Sequence, residues 1–84
     1  YPNPFNPATT IPFTLHESSD VEITVYTLSG QLVSTLVHGP FAVGDHVAVW
    51  DGTNDASLRV ASGVYLITMR SNHLQSALTV TLIR

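Results

Sequence analysis

The residues that could carry chemistry in this chain are histidines, carboxylates and serines, and their spacing limits what they can do. Catalysis needs a nucleophile, a base and an orienting group that converge in one pocket. The four histidines, His16, His38, His46 and His73, fall in or beside four different turns. No serine lies in a strand–turn–helix setting that would expose an activated hydroxyl, and no pair of ligands has the spacing of a zinc site. The sequence therefore predicts no enzyme activity, no catalytic residue and no cofactor.

One run of oxygen-bearing side chains, Asp51-Gly52-Thr53-Asn54-Asp55, could contribute to a calcium site. Calcium takes about six to eight oxygen ligands, however, and the alternating ligand spacing of a helix–loop–helix site is missing. In the alternative, Asp51 and Asn54 accept backbone N–H bonds inside a turn. The sequence favours the turn and predicts no metal ligand, while calcium at 51–55 stays an open alternative.

The charge of the chain excludes two classes of partner. Its cations are three arginines, with no lysine, against six carboxylates, and the net charge is −3. So few cations cannot form the patch that nucleic-acid binding or an anionic membrane surface requires. The apolar runs are also far shorter than the ~20 residues of a membrane helix. We expect no nucleic acid and no membrane insertion.

Six short segments of strand-like sequence must position these side chains. Apolar and polar residues alternate over 11–15, 21–26, 65–70 and 78–83, and shorter apolar runs cover 32–37 and 47–50. Turn-forming residues separate the runs at roughly 8–12-residue spacing, and no window keeps a helical stripe. The pattern predicts an all-β fold, an immunoglobulin-like antiparallel β-sandwich of about seven short strands.

The common period-two register of these runs predicts a single core. Trp50 is expected to pack between the two sheets, and Tyr65 to bond a nearby loop backbone through its hydroxyl. The predicted core residues are Ile11, Phe13, Val21, Ile23, Val25, Trp50, Tyr65, Ile67, Leu78, Val80 and Leu82.

The opening segment differs in kind from the rest. Three prolines stand within Tyr1-Pro2-Asn3-Pro4-Phe5-Asn6-Pro7, so the segment can be neither a helix nor a central strand. Its two aromatic side chains, Tyr1 and Phe5, need a surface to cover them. We expect a single domain over 1–84, with 1–9 a proline-rich lead-in from an upstream domain of a longer protein.

Four ordered motifs together resemble a known family. The opening 1–11 resembles the start of the type A C-terminal sorting domains of the type IX (Por) secretion system. The resemblance continues through Val25-Tyr26-Thr27-Leu28-Ser29-Gly30-Gln31-Leu32-Val33, Gly44-Asp45-His46-Val47-Ala48-Val49-Trp50-Asp51-Gly52 and Val60-Ala61-Ser62-Gly63-Val64-Tyr65. A related resemblance, to the immunoglobulin-like domain of flagellar hook-capping proteins, shares the Leu-Ser-Gly-Gln and Trp-Asp-Gly stretches but accounts less well for the opening.

The first resemblance implies a non-catalytic domain at the end of a secreted enzyme or adhesin of a Gram-negative bacterium. Its implied partners are the outer-membrane secretion machinery and the upstream cargo domain. Attachment to surface lipopolysaccharide would follow cleavage, and the implied location is secreted or at the cell surface. The Lys or Arg residues that such families often carry before the last strand are replaced by Gln75-Ser76-Ala77.

The final strand is where this reading places the sorting signal. Leu78, Val80 and Leu82 are expected to face the core. The signal candidates are the outward Thr79, Thr81 and Ile83, together with Arg84 at an exposed terminus. The alternative from the binding class is a carbohydrate-binding or structural immunoglobulin-like module on a secreted glycoside hydrolase, with Tyr1, Phe5, Tyr26 and Phe41 as candidate exposed aromatics.

Overall fold

The computed structural model describes residues 8–72 and 74–84 of the chain. Every regular element in these residues is a β-strand. The strands are β1 (Thr9–Leu15), β2 (Ser19–Thr27), β3 (Leu32–Phe41), β4 (Gly44–Trp50), β5 (Gly63–Ser71) and β6 (Leu74–Leu82). No helix in the described ranges is long and apolar enough to cross a membrane.

The six strands form two antiparallel sheets. A small sheet pairs β1 with β4, and a large sheet has the order β3-β2-β5-β6. The predicted all-β immunoglobulin-like sandwich is confirmed, with six strands where about seven were expected. Residues 16–18 cross from one sheet to the other, because β1 and β2 belong to different sheets.

The core lies between the sheets, and Trp50 is at its centre. The indole is 1 % exposed, and its Nε1 donates to the carbonyl of Thr53 at 2.9 Å. The ring of Tyr65 packs edge-on against it, with centroids 5.0 Å apart. The Tyr65 hydroxyl donates to the carbonyl of Ala61 at 2.6 Å. Both aromatic residues therefore sit as the sequence predicts, and they join the two sheets at one end of the sandwich.

The last strand departs from the predicted core. Leu82 is buried, but Val80 is only half-buried and Leu78 is 45 % exposed. Both face the inner side of the large sheet, because they pair with Tyr65 and Ile67. The prediction of a buried Leu78 was wrong because, in the part of the chain that the structure describes, the small sheet has two strands, which leave this part of β6 uncovered.

The hairpin between β2 and β3 contains a glycine with positive φ, two register shifts and a proline within a strand. Gly30 has φ +95°, the positive value expected for this turn, and its N–H donates to the carbonyl of Thr27. Two register shifts in the pairing with β2 turn both Val33 and Ser34 inward, although they are consecutive. Pro40 lies inside β3. A proline is tolerated there because β3 is an edge strand.

Candidate functional site

The structure keeps the described histidines apart. His16 and His38 are exposed, whereas His46 is half-buried, and its ring stacks on Phe13 at 5.3 Å between centroids. The His46 Nε2 lies 2.7 Å from the carbonyl oxygen of Ala42. His73 lies outside the described residues. Within 8–72 and 74–84, no three His, Asp or Glu side chains are grouped to hold a metal ion.

A hollow of about 320 Å³ lies where the β1–β2 crossing meets the start of β6. The side chains of Leu15, Met69 and Leu74 line it, with His16 and Glu17 beside them. Both polar residues are exposed to solvent. A general acid or base is normally held in a cleft and tuned by its neighbours. The exposed His16 and Glu17 are not held in this way, and most of the surface of the hollow is apolar.

The acidic turn at 51–55 is held by its own hydrogen bonds. The Asp51 Oδ1 accepts from the backbone N–H of Thr53 at 3.1 Å and from its hydroxyl at 2.6 Å. The Asn54 Oδ1 accepts from the N–H groups of Ala56 and Leu58 at 2.9 and 3.0 Å. These bonds are the ones that the turn interpretation predicts.

The third polar side chain of this turn reaches the large sheet. The Asp55 N–H donates to the carbonyl of Val33, and the Asp55 Oδ1 accepts from the N–H of Thr35, each at 3.0 Å. Both partners belong to β3, the edge strand. The loop between β4 and β5 therefore occupies backbone groups that an edge strand would otherwise offer to another chain.

The four sorting-signal candidates do not share one environment. Thr79, Thr81 and Ile83 are exposed on the outer side, as expected, but Arg84 is half-buried. Its guanidinium donates to the carbonyls of Gly52 and Val60. The expected exposed terminus was wrong because these carbonyls draw the side chain back onto the β4–β5 loop. No period or spacing in the sequence indicates this contact.

The outer side of the small sheet carries an apolar patch, bordered in β4 by the exposed Asp45, that the sequence analysis did not single out. Val47 and Val49 are 59 % and 55 % exposed, and they pair with Pro12 and Thr10 across the two strands. We name these four residues the valine face. All four residues of 47–50 are apolar, so no polar–apolar alternation indicates this face, and it is evident only because Ala48 and Trp50 point inward.

The aromatic candidates for polysaccharide binding do not form a platform in the described residues. Tyr26 and Phe41 are both half-buried. The ring of Phe41 packs edge-on against Phe13 and His46, with centroids 5.6 and 5.1 Å apart. Tyr1 and Phe5 lie outside the described residues. Phe41 thus packs with Phe13 and His46 and does not form an exposed aromatic surface.

Two comparisons with known proteins, one with family models and one with solved structures, agree with each other. A family model described as "FlgD Ig-like domain" matches residues 6–74. The solved structure of FlgD from P. aeruginosa is similar at a TM-score of 0.69 with 23% sequence identity. The likeness covers 87% of this chain, and the chain spans 62% of the length of that structure. No curated protein matches.

These findings overturn the first resemblance. The type A sorting domain of the type IX system was the wrong family, because the matching model is that of the FlgD Ig-like domain and the fold agrees with FlgD. The shared Leu-Ser-Gly-Gln and Trp-Asp-Gly stretches belong to the family that took second place. The proline-rich opening was the feature that favoured the sorting domain over the hook-capping domain. Residues 1–5 of that opening lie outside the range that the family model matches.

The functional expectations change with the family. Secretion and surface attachment of a cargo by the type IX route were wrong, as were the outer-membrane machinery, the cargo and lipopolysaccharide as partners. The alternative of a module on a glycoside hydrolase has no support from the matches. That a receptor reads Thr79, Thr81, Ile83 or Arg84 stays a prediction.

Proposed function

The chain belongs to the FlgD Ig-like domain family, and we propose that it is a non-catalytic assembly module. Its role is to hold its parent protein in a larger protein structure, as in a flagellar hook-capping scaffold. The observation that carries the proposal is the family match over 6–74, which extends from before β1 into the start of β6. A flagellar hook is an external structure, so the proposal keeps the predicted location outside the cytoplasm.

The polar groups of the chain support a structural role. The side chains of Asp51 and Asn54 accept backbone N–H bonds within the β4–β5 loop, and the Asp55 carboxylate accepts one from Thr35 of β3. The Tyr65 hydroxyl and the Trp50 indole are each satisfied by a loop carbonyl. These five side chains are thus engaged in holding the fold.

The valine face is the surface we assign to assembly contacts. Its two exposed valines lie beside Thr10 and Pro12, and none of the four residues carries a charge. Depletion of charge with exposed apolar side chains is typical of the centre of a protein interface. A rigid strand pair, anchored from below by Trp50, presents these side chains in fixed positions.

Deletion of residues 1–84 from the parent protein tests the proposal in the host. We expect the deleted protein to be made but absent from the isolated surface assembly, with hooks lost or misassembled in electron micrographs. The parent with an exposed control substitution, Leu58→Asp, should assemble normally because Leu58 lies on the β4–β5 loop, away from the valine face. Normal hooks and wild-type incorporation without residues 1–84 would contradict the proposal.

A further inference from the structure

β6 is an edge strand of the large sheet, and in the described part of the chain no strand pairs with its free side. The strand is nine residues long, Leu74–Leu82, and contains no proline and no charged side chain. An unpaired row of N–H and C=O groups is a template for another strand, so edge strands normally carry a proline, a charge, a bulge or a covering segment. Among the described residues β6 has none of these protections.

The other sheet edges are protected. The β4–β5 loop covers part of β3, where the Asp55 N–H donates to the Val33 carbonyl and the Asp55 carboxylate accepts from the Thr35 N–H. β1 carries Pro12, which has no N–H to offer. β4 carries the exposed Asp45. Pairing with a further strand is therefore open at β6 and restricted at the other edges of the described sheets.

The inner side of β6 also lacks a neighbour in the described residues. Leu78 points inward, because it pairs with Ile67, but it is 45 % exposed. Leu74 points to the same side and is 71 % exposed. A groove of about 230 Å³ lies along Leu78 between β6 and β1, and no charged side chain of the described residues lines it. A strand added to β6 would bring further side chains beside these two leucines.

We propose that this strand is β6 of a second copy of the chain, antiparallel to the first about a two-fold axis at Leu78. Residues directly opposite each other in an antiparallel pair point to the same side of the sheet, so the axis passes through one residue. The axis at Leu78 is the one that pairs all nine residues, because Leu74 then lies opposite Leu82 of the second copy.

β6 is complementary to itself in this register. Leu78 opposes its own copy on the inner side, and no charge meets a like charge along the pair. Like charges directly opposite each other would destabilise such a pair, and a strand of one sign would reject its own copy. The remaining opposed residues are Ser76 with Val80 on the inner side, and Gln75 with Thr81 and Ala77 with Thr79 on the outer side.

The two-fold pairing closes on itself. It joins two sheets of four strands into one of eight and uses both copies of the β6 edge. The outermost strands of the joined sheet are the two copies of β3, which the β4–β5 loop partly covers. A closed two-fold contact therefore gives a dimer and not a fibre. The contact does not involve the valine face, so it stands apart from the assembly role proposed above.

Opposite charges placed at the axis test the contact in the full 84-residue chain. Sedimentation equilibrium should show a monomer–dimer equilibrium for the wild type. Leu78→Lys and Leu78→Glu should each raise the dimer dissociation constant at least about tenfold, because like charges then face each other. An equimolar mixture of the two should dimerise at least about tenfold more tightly than either variant alone. The matched control Leu58→Lys, exposed on the β4–β5 loop, should dimerise like the wild type.

Two results would overturn the proposal. One is a wild-type chain that stays monomeric up to about 1 mM, the weak end of the affinity scale. The other is a mixture that dimerises no more tightly than the separate variants, since the two copies of residue 78 would then not face each other.

A second pair of variants keeps the test valid if Leu78→Lys does not fold by circular dichroism. Ala77 and Thr79 are exposed on the outer side of β6, and each opposes the other in the second copy. The double variant Ala77→Lys, Thr79→Lys should therefore lose the dimer, while the control Leu28→Lys, Leu58→Lys should keep it. A folded Ala77→Lys, Thr79→Lys variant that dimerises like the wild type would rule out pairing through β6.

Spin labels measure the register. The chain has no cysteine, so Gln75→Cys and Thr81→Cys each give one nitroxide site. The two positions are equally far from Leu78, and each lies six residues along the strands from its own copy, roughly 20 Å at the rise of an antiparallel strand. Electron–electron distances in the dimer should therefore be short and similar for the two positions. Clearly unequal distances, or a long distance at both positions, would exclude an axis at Leu78.

Discussion

Arg84 is hydrogen-bonded to Gly52, 32 residues earlier, and its guanidinium lies where a side chain on Gly52 would meet it. The Arg84 Nη2 donates to the Gly52 carbonyl, and a Cβ atom on Gly52 would lie 2.8 Å from that nitrogen. The same guanidinium donates to the carbonyl of Val60, and the Arg84 N–H donates to the Ser62 hydroxyl. The end of the described chain is thereby fastened to the β4–β5 loop.

Gly52→Ala should destabilise the domain. Its φ of +80° is unfavourable for alanine, and the new methyl group would displace the Arg84 side chain. We expect a loss of about 1–3 kcal/mol in the free energy of unfolding, measured by urea denaturation. Arg84→Ala relieves the contact but not the backbone strain, so Gly52→Ala should remain destabilising in that background. Equal stability of Gly52→Ala and wild type would contradict the structure.

Trp50→Ala and Tyr65→Phe test two different contributions to the free energy of unfolding, core packing and a single hydrogen bond. Trp50→Ala should cost about 3–5 kcal/mol, because it leaves a cavity between the sheets. Tyr65→Phe keeps the ring contact and removes only the hydrogen bond to Ala61, which should cost about 1 kcal/mol. Thermal unfolding of both variants measures the difference. A smaller loss for Trp50→Ala than for Tyr65→Phe would contradict the packing described.

The facing of β6 can be checked at two adjacent positions. Leu82 is 3 % exposed and Ile83 is 74 % exposed. Leu82→Ala should therefore cost about 2–5 kcal/mol, whereas Ile83→Ala should change stability by no more than about 0.5 kcal/mol. Denaturant midpoints give both values. The reverse order would mean that the strand is shifted by one residue.

The acidic turn should fold without metal. The Asp51 and Asn54 oxygens already accept N–H bonds, so melting curves with calcium and with a chelator should coincide. Asn54→Ala should lower stability by about 1–2 kcal/mol, because two loop N–H groups lose their acceptor. A fall of several degrees on adding chelator would revive the calcium alternative.

Much of the fold could be predicted because one face of most strands is buried. In β2 the alternation of Val21, Ile23 and Val25 with more polar residues fixes both the strand and its facing. The exposure of Leu78 could not be predicted in this way. It depends on how many strands lie opposite, which period-two alternation does not encode.

The surfaces were harder to predict than the core. The contact of Arg84 with Gly52 joins residues far apart in sequence and follows no periodicity. The exposed valines of β4 read as part of a buried run until Ala48 and Trp50 are known to face inward. The Leu-Ser-Gly-Gln and Trp-Asp-Gly stretches are shared by both resemblances, and the proline-rich opening decided the choice in favour of the wrong one.

The most direct measurement is the incorporation of the parent protein into its surface assembly when the valine face is charged. The double variant Val47→Asp, Val49→Asp is compared with Leu28→Asp, Leu58→Asp, which adds the same charge at similarly exposed positions. Circular dichroism must first show that both variants fold like the wild type. We predict that the face variant is incorporated at least about tenfold less, a change of about 1.4 kcal/mol, while the control is unaffected. Wild-type incorporation of the folded face variant, or equal loss in both variants, would contradict the assignment of this face to assembly.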